Sequence, residues 1–125
     1  MVVNINPVGW FEIPASDLKR AKKFYESILG YELQLTDLQG SPMVWFPFEE
    51  GIMGTSGALI SSEEIFPSHD GTTVYFTVSD LEETLNKVTE NGGKILISRT
   101  SIGEHGTYAH IEDSEGNRIG LHSRG

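Results

Sequence analysis

The stretches WFEIPASDLKRAKKFYESILG (residues 10–30) and TVYFTVSDLEETLNKVTENGG (residues 73–93) decide the fold, because each reads as a strand running into a helix. Both open with strand-forming residues and then reach Ser-Asp-Leu, where Asp17 and Asp80 have the side chain expected of a helix N-cap. After Asp17 the apolar residues fall at Leu18, Ala21, Tyr25 and Ile28, flanked by Phe24 and Leu29, and this helical stripe stops at Gly30. After Asp80 the stripe is Leu81, Leu85 and Val88, with Glu82 and Glu83 placed for a capping box and Gly92-Gly93 as the stop. Asp80 follows Asp17 by 63 positions, and the same offset aligns Ser16 with Ser79, Gly30 with Gly93, and Gly57 with Gly120.

Working outward, the first strand is expected over Val8–Pro14. Three short strands follow the first helix, over Tyr31–Thr36, Met43–Phe48 and Ser56–Ile60, separated by turn formers such as Asp37-Leu-Gln-Gly40. The second copy predicts strands over Thr72–Val78, Lys94–Ser98, Thr107–Glu112 and Asn117–His122. The chain is therefore read as one α+β domain, residues 1–125, made of two tandem βαβββ modules over about 1–60 and 72–125, with a linker over 61–71. A ferredoxin-like α+β domain is the runner-up, but it would place two strands, not four, between repeats. A unit of roughly 60 residues buries too little apolar surface to stand alone, so the modules must share a core. Their strands are expected to form a curved mixed sheet with a concave cleft suited to a small ligand.

Composition limits the partners. The 125 residues carry 9 Lys plus Arg against 18 Asp plus Glu, a net charge of -9, so neither nucleic acid nor an anionic membrane is an expected partner. With no cysteine, the chain has no disulfide, no thiolate metal site and no thiol nucleophile. Residues 1–7 show no basic segment leading into an apolar one, and no stretch is long and apolar enough for a membrane span; the expected location is the cytoplasm. No phosphate-binding glycine motif or nucleophile elbow is present.

Residues 10–30, together with the closing stretch DSEGNRIGLH (residues 113–122), resemble the vicinal-oxygen-chelate superfamily, which includes glyoxalase I, bleomycin- and fosfomycin-resistance proteins and extradiol dioxygenases. Residues 68–76, 101–106 and 115–123 are similar to its small single-domain glyoxalase-like members. The resemblance implies the paired-module fold and, commonly, a homodimer. It also implies a divalent metal held by a His or Gln on the first strand of each module and a Glu on the last. Counted from the helix-opening Asp, those positions are Trp10 and Thr73, and the Glu positions are Gly120 and its repeat mate Gly57. None bears a metal-binding side chain, so no metal and no cofactor are expected at the usual place.

The expectation is thus a glyoxalase-like protein that binds a small organic molecule in the inter-module cleft without the usual metal, either sequestering it or acting as a lyase or isomerase relative. Trp10, Gly57, Thr73, Tyr75, His105 and Gly120 are the candidate ligand-binding residues, with His105 on a glycine-flanked loop that could close as a lid. Glu12 and His122, sharing strand faces with Trp10 and Gly120, are the candidate catalytic groups, as a general base and a proton shuttle. His110 and His69 are assigned surface or packing roles. Two rivals stand: a metal-dependent lactoylglutathione-lyase-type lyase or isomerase with displaced ligands, and a dimeric partner-binding module.

Overall fold

A computed structural model describes residues 5–124; residues 1–4, part of the segment read above for a leader, and residue 125 lie outside the described residues. The first unit is β1 (Phe11–Pro14), α1 (Leu18–Leu29), β2 (Gln34–Leu38), β3 (Ser41–Trp45) and β4 (Gly57–Ile60). The second is β5 (Tyr75–Thr77), α2 (Leu81–Glu90), β6 (Lys94–Ser101), β7 (Thr107–Glu112) and β8 (Arg118–Ser123), with a short 3-10 turn at Gly103–His105. The eight strands hydrogen-bond as two four-stranded mixed sheets, ordered β1-β4-β3-β2 and β5-β8-β7-β6. In each, the first strand runs parallel to the last and the other pairs are antiparallel.

The helix starts agree almost atom for atom. Asp17 accepts from the Arg20 amide at 3.0 Å and Asp80 from the Glu83 amide at 3.1 Å, both caps in the same extended conformation. The capping box is only half made, because the Glu83 carboxylate turns along the helix to Lys87, 3.3 Å away. The helix ends differ. Gly30 closes α1 in the left-handed region (φ 82°), whereas after the shorter α2 it is Gly92 (φ 94°) that does so. The spacing between modules therefore drops from 63 to 62 once the helix is passed.

That one-residue slip corrects the pairing of glycines. Glu12 pairs with Ala58 in β1–β4, and the corresponding pair in β5–β8 is Tyr75 with Gly120. The repeat mate of Gly120 is thus Ala58, not Gly57. In the second strand of module one, the expected segment shifts to Gln34–Leu38 because Gln39 and Gly40 take φ of 53° and 85° and make a two-residue hairpin into β3. Pro42 is tolerated in β3 because pairing with β4 begins only at Met43.

One core joins the modules. Ile13, Val44 and Leu59 from one sheet and Ala109, Ile111 and Leu121 from the other are at most 3% exposed, covered by Tyr25 and Ile28 of α1 and Leu85 and Val88 of α2. Phe76 of module two stacks among Phe11, Tyr25 and Phe46 of module one, with ring centroids 5.2–5.7 Å apart. Beside it, the turn at 113–117 is stapled to module one. The Tyr25 hydroxyl donates to buried Asp113 at 2.5 Å, and the Asn117 amide group donates to the Pro14 carbonyl at 2.7 Å. Burial, then Asp113, push the Tyr25 phenol well above its ordinary pKa.

A second staple is ionic. Glu115 takes two hydrogen bonds from Arg20, at 2.7 and 3.0 Å, and one from the Asp17 amide at 2.8 Å. Burial alone would raise its carboxyl, but Arg20, the Asp17 amide and Ser114 together hold it below the ordinary value of 4.5. A depressed folded value means the contribution is present above the unfolded value and is lost as pH falls through it. Glu115→Gln is therefore expected to flatten the decline of urea-measured stability between about pH 5 and pH 3. It will not abolish it, because Glu26, held low by the Leu33 amide and by Lys22, titrates in the same window. An unchanged slope in the variant would count against this staple.

Candidate functional site

Strand alternation sends Phe76, Ala109 and Leu121 into the core and leaves Tyr75, Thr77, Tyr108, His110, Gly120 and His122 on the opposite, open face of the second sheet. There a pocket of about 430 Å³ is lined by Tyr75, Thr77, Ile102, Tyr108 and His122. Its shape depends on Gly120. The Tyr75 ring lies across that glycine so closely that a Cβ would overlap Cδ2 and Cε2 of the ring.

The polar groups on this face are already organised. The Tyr75 hydroxyl lies 2.6 Å from Nε2 of His110, and Nδ1 of the same ring lies 2.8 Å from Nη1 of Arg118. Burial first, and then the Arg118 charge, push the His110 pKa below its usual value, so the ring is neutral at pH 7. His122 Nε2 lies 2.7 Å from the His105 carbonyl. A carbonyl only accepts, so His122 donates there.

The first sheet offers an aromatic wall. Trp10 meets Trp45 edge to face at 5.6 Å, and its indole N–H points to Glu12 at 3.4 Å. Between the edge strands β1 and β5 lies a wider cleft of about 740 Å³, to which Trp10, Glu12, Phe46, Met53, Thr73 and Tyr75 contribute. Tyr75 and Thr77 line both spaces.

Of the residues singled out from sequence, Trp10, Glu12, Thr73 and Tyr75 meet in the wider cleft, while Tyr75, Gly120 and His122 meet at the smaller pocket. Gly57 is elsewhere. It is buried against Phe11, whose carbonyl and ring a Cβ would strike, and Phe11 belongs to the aromatic packing of the core. The His105 ring points to solvent, 78% exposed, so the loop reaches the site through its backbone. Glu12 is exposed rather than enclosed. His110 and Arg118, the second tier of the pocket, were not among the sequence candidates. The available signal was the Asp113–Asn117 turn, whose register sets His110 opposite Gly120.

The sequence model of the Glyoxalase/Bleomycin resistance protein/Dioxygenase superfamily matches residues 7–121. The chain belongs to that superfamily. Among its relatives is a glyoxylase-like domain-containing protein of Didymella fabae, 35% identical over 121 residues, covering 94% of this chain and 93% of that one. Among solved structures, the antibiotic binding protein TnmS3 of Streptomyces sp. CB03234 superposes with a TM-score of 0.71 at 21% identity, over 98% of both chains. A mutant of glyoxalase I from Zea mays superposes at 0.67 with 20% identity, this chain covering 46% of that one.

With the register corrected, the positions that the resemblance assigns to metal ligands shift in one place. They carry Trp10, Ala58, Thr73 and Gly120, none with an imidazole or carboxylate. Among the described residues no group of three or more His, Asp or Glu side chains is arranged to hold a metal ion. Among these residues, too, no helix is long and apolar enough to cross a membrane.

Proposed function

We propose that the chain binds a small, flat and largely apolar organic molecule on the open face of its second module, without a metal, and that a second copy completes the enclosure. The observation that carries this reading is the pocket around Tyr75, whose ring Gly120 allows to lie flat against β8 and whose other apolar walls are Ile102 and Tyr108. Aromatic and aliphatic walls favour stacking and area burial over charge recognition. The antibiotic binding protein TnmS3, built on the same scaffold, supports sequestration as the activity. The second copy is argued from exposure: Trp10, Tyr75, Ile97 and Ile102 remain 36–48% exposed in a single chain. Covering them with the same surface of another copy makes a closed, symmetric homodimer.

Equilibrium dialysis against 9-fluorenone, with EDTA and then with Ni²⁺, Zn²⁺ or Mn²⁺, tests the reading, alongside sedimentation for the oligomer. The expected result is a dimer that binds the probe equally well with and without metal. In Gly120→Val the displaced Tyr75 ring should weaken binding by about tenfold. Binding or thermal stabilisation that requires a divalent ion would overturn the proposal in favour of a metal-dependent lyase or isomerase. A dimer that binds no probe would favour the partner-binding module.

A further inference from the structure

We infer that Tyr75 is a directed hydrogen-bond donor, oriented by the Arg118–His110 pair, that selects ligands carrying a carbonyl or anionic oxygen on an otherwise apolar frame. This deepens the binding reading above and rests on it. The direction of the chain follows from Arg118, because a guanidinium has five N–H donors and no acceptor. At 2.8 Å from Arg118, Nδ1 of His110 must therefore offer its lone pair. A protonated imidazole would set two N–H groups against each other at that distance, and so would the neutral tautomer with its proton on Nδ1.

The remaining tautomer places the proton on Nε2, which then donates to the Tyr75 oxygen 2.6 Å away. The depressed His110 pKa is consistent with this neutral ring. With its oxygen occupied as an acceptor, Tyr75 has its own O–H left over, and among the described residues no acceptor takes it. An O–H whose oxygen already accepts a hydrogen bond is polarised and donates more strongly. The other polar groups of the pocket lack this bias. His122 is committed to the His105 carbonyl, and the hydroxyls of Thr77 and Tyr108 are free to turn either way. The pocket thus presents one fixed donor among apolar walls, a pattern that rewards a ligand oxygen and leaves a hydrocarbon edge with an unpaired hydroxyl.

The test compares 9-fluorenone with fluorene, flat frames of nearly equal size that differ in a carbonyl. Wild-type protein is expected to bind fluorenone about fivefold to tenfold more tightly than fluorene by equilibrium dialysis. Tyr75→Phe should erase that preference, weakening fluorenone binding and, by removing the hydroxyl that fluorene leaves unpaired, strengthening fluorene binding. Arg118→Met should reduce it, and Arg118→Lys, which keeps a donor, should restore it. Nitrogen-15 NMR of the His110 ring gives a readout that simple structural damage would not imitate: Nε2 protonated and Nδ1 bare in the wild type, with that bias lost in Arg118→Met. Equal affinity for the two probes, unmoved by Tyr75→Phe, overturns the inference while leaving the pocket in place. Binding of neither probe overturns the pocket reading and this inference with it. A proton on Nδ1 of His110 overturns the donor direction whatever the probes do.

Discussion

Replacing Asp113 with alanine is expected to lower stability by about 4 kcal/mol, the largest loss for any single side chain outside the apolar core. Asp113 is 2% exposed, yet each of its oxygens accepts two hydrogen bonds. Oδ2 takes the Tyr25 hydroxyl at 2.5 Å and the Asn117 side-chain amide at 2.9 Å, and Oδ1 takes the Glu115 and Asn117 backbone amides, both at 2.9 Å. Truncation orphans four donors at once, and each buried orphan costs about 1–3 kcal/mol before water relaxes the site. The Tyr25 hydroxyl is the worst placed, because its residue is fully buried at the junction of the modules. Against a total of about 5–15 kcal/mol for an ordinary domain, such a loss brings the chain close to unfolding at room temperature. Urea titration followed by tryptophan fluorescence measures it. Tyr25→Phe removes one donor and leaves the carboxylate three, so about 1–2 kcal/mol is expected. If Asp113→Ala costs no more than Tyr25→Phe, the carboxylate is not the hub of the junction.

Gly106→Ala is expected to cost about 3 kcal/mol and, in the molecules that stay folded, to weaken ligand binding by about tenfold. Gly106 has φ 103° and ψ -138°, a conformation nearly reserved for glycine, and a Cβ there would collide with the Ser123 carbonyl and approach the Arg124 Cα to 2.9 Å. These are backbone atoms at the end of β8, so the neighbour cannot rotate away. The strand and the 3-10 turn must separate, and the bond from His122 to the His105 carbonyl goes with them. Ile102, whose amide is bonded to the Gly106 carbonyl at 2.9 Å, moves with the turn and takes one wall of the pocket with it. Gly103→Ala is the control. Its φ of 69° is also left-handed, but nothing lies within 4 Å of the added methyl, so about 1 kcal/mol is expected. Thermal unfolding and fluorenone dialysis on both variants separate the effects, and equal behaviour of the two would remove the collision as the cause.

Residues 10–30 and 73–93 determined by themselves that two strand-to-helix units recur, because caps and apolar stripes are local: Asp17 and Asp80 need only the next three residues to act. The resemblance to the superfamily, counted from those local caps, is what marked Trp10, Thr73 and Gly120 as the places where a metal ligand was to be looked for. What local pattern did not carry is length. Where α2 stops relative to Gly92 and Gly93 depends on packing: Gly93 lies against Val88, Phe24 and the Glu112 carbonyl, and the left-handed turn falls on Gly92 instead. That single residue moves the equivalent of Gly120 from Gly57 to Ala58, since a one-residue shift along a strand exchanges its faces. Only tertiary structure could also turn Asp113 from a hairpin residue into the buried acceptor of Tyr25, across a separation of 88 positions. The same holds for His110, to which the sequence assigns only a surface or packing role. Its role depends on Arg118 and Tyr75 reaching opposite nitrogens of one ring, a geometry created by three strands and stated by none of them singly.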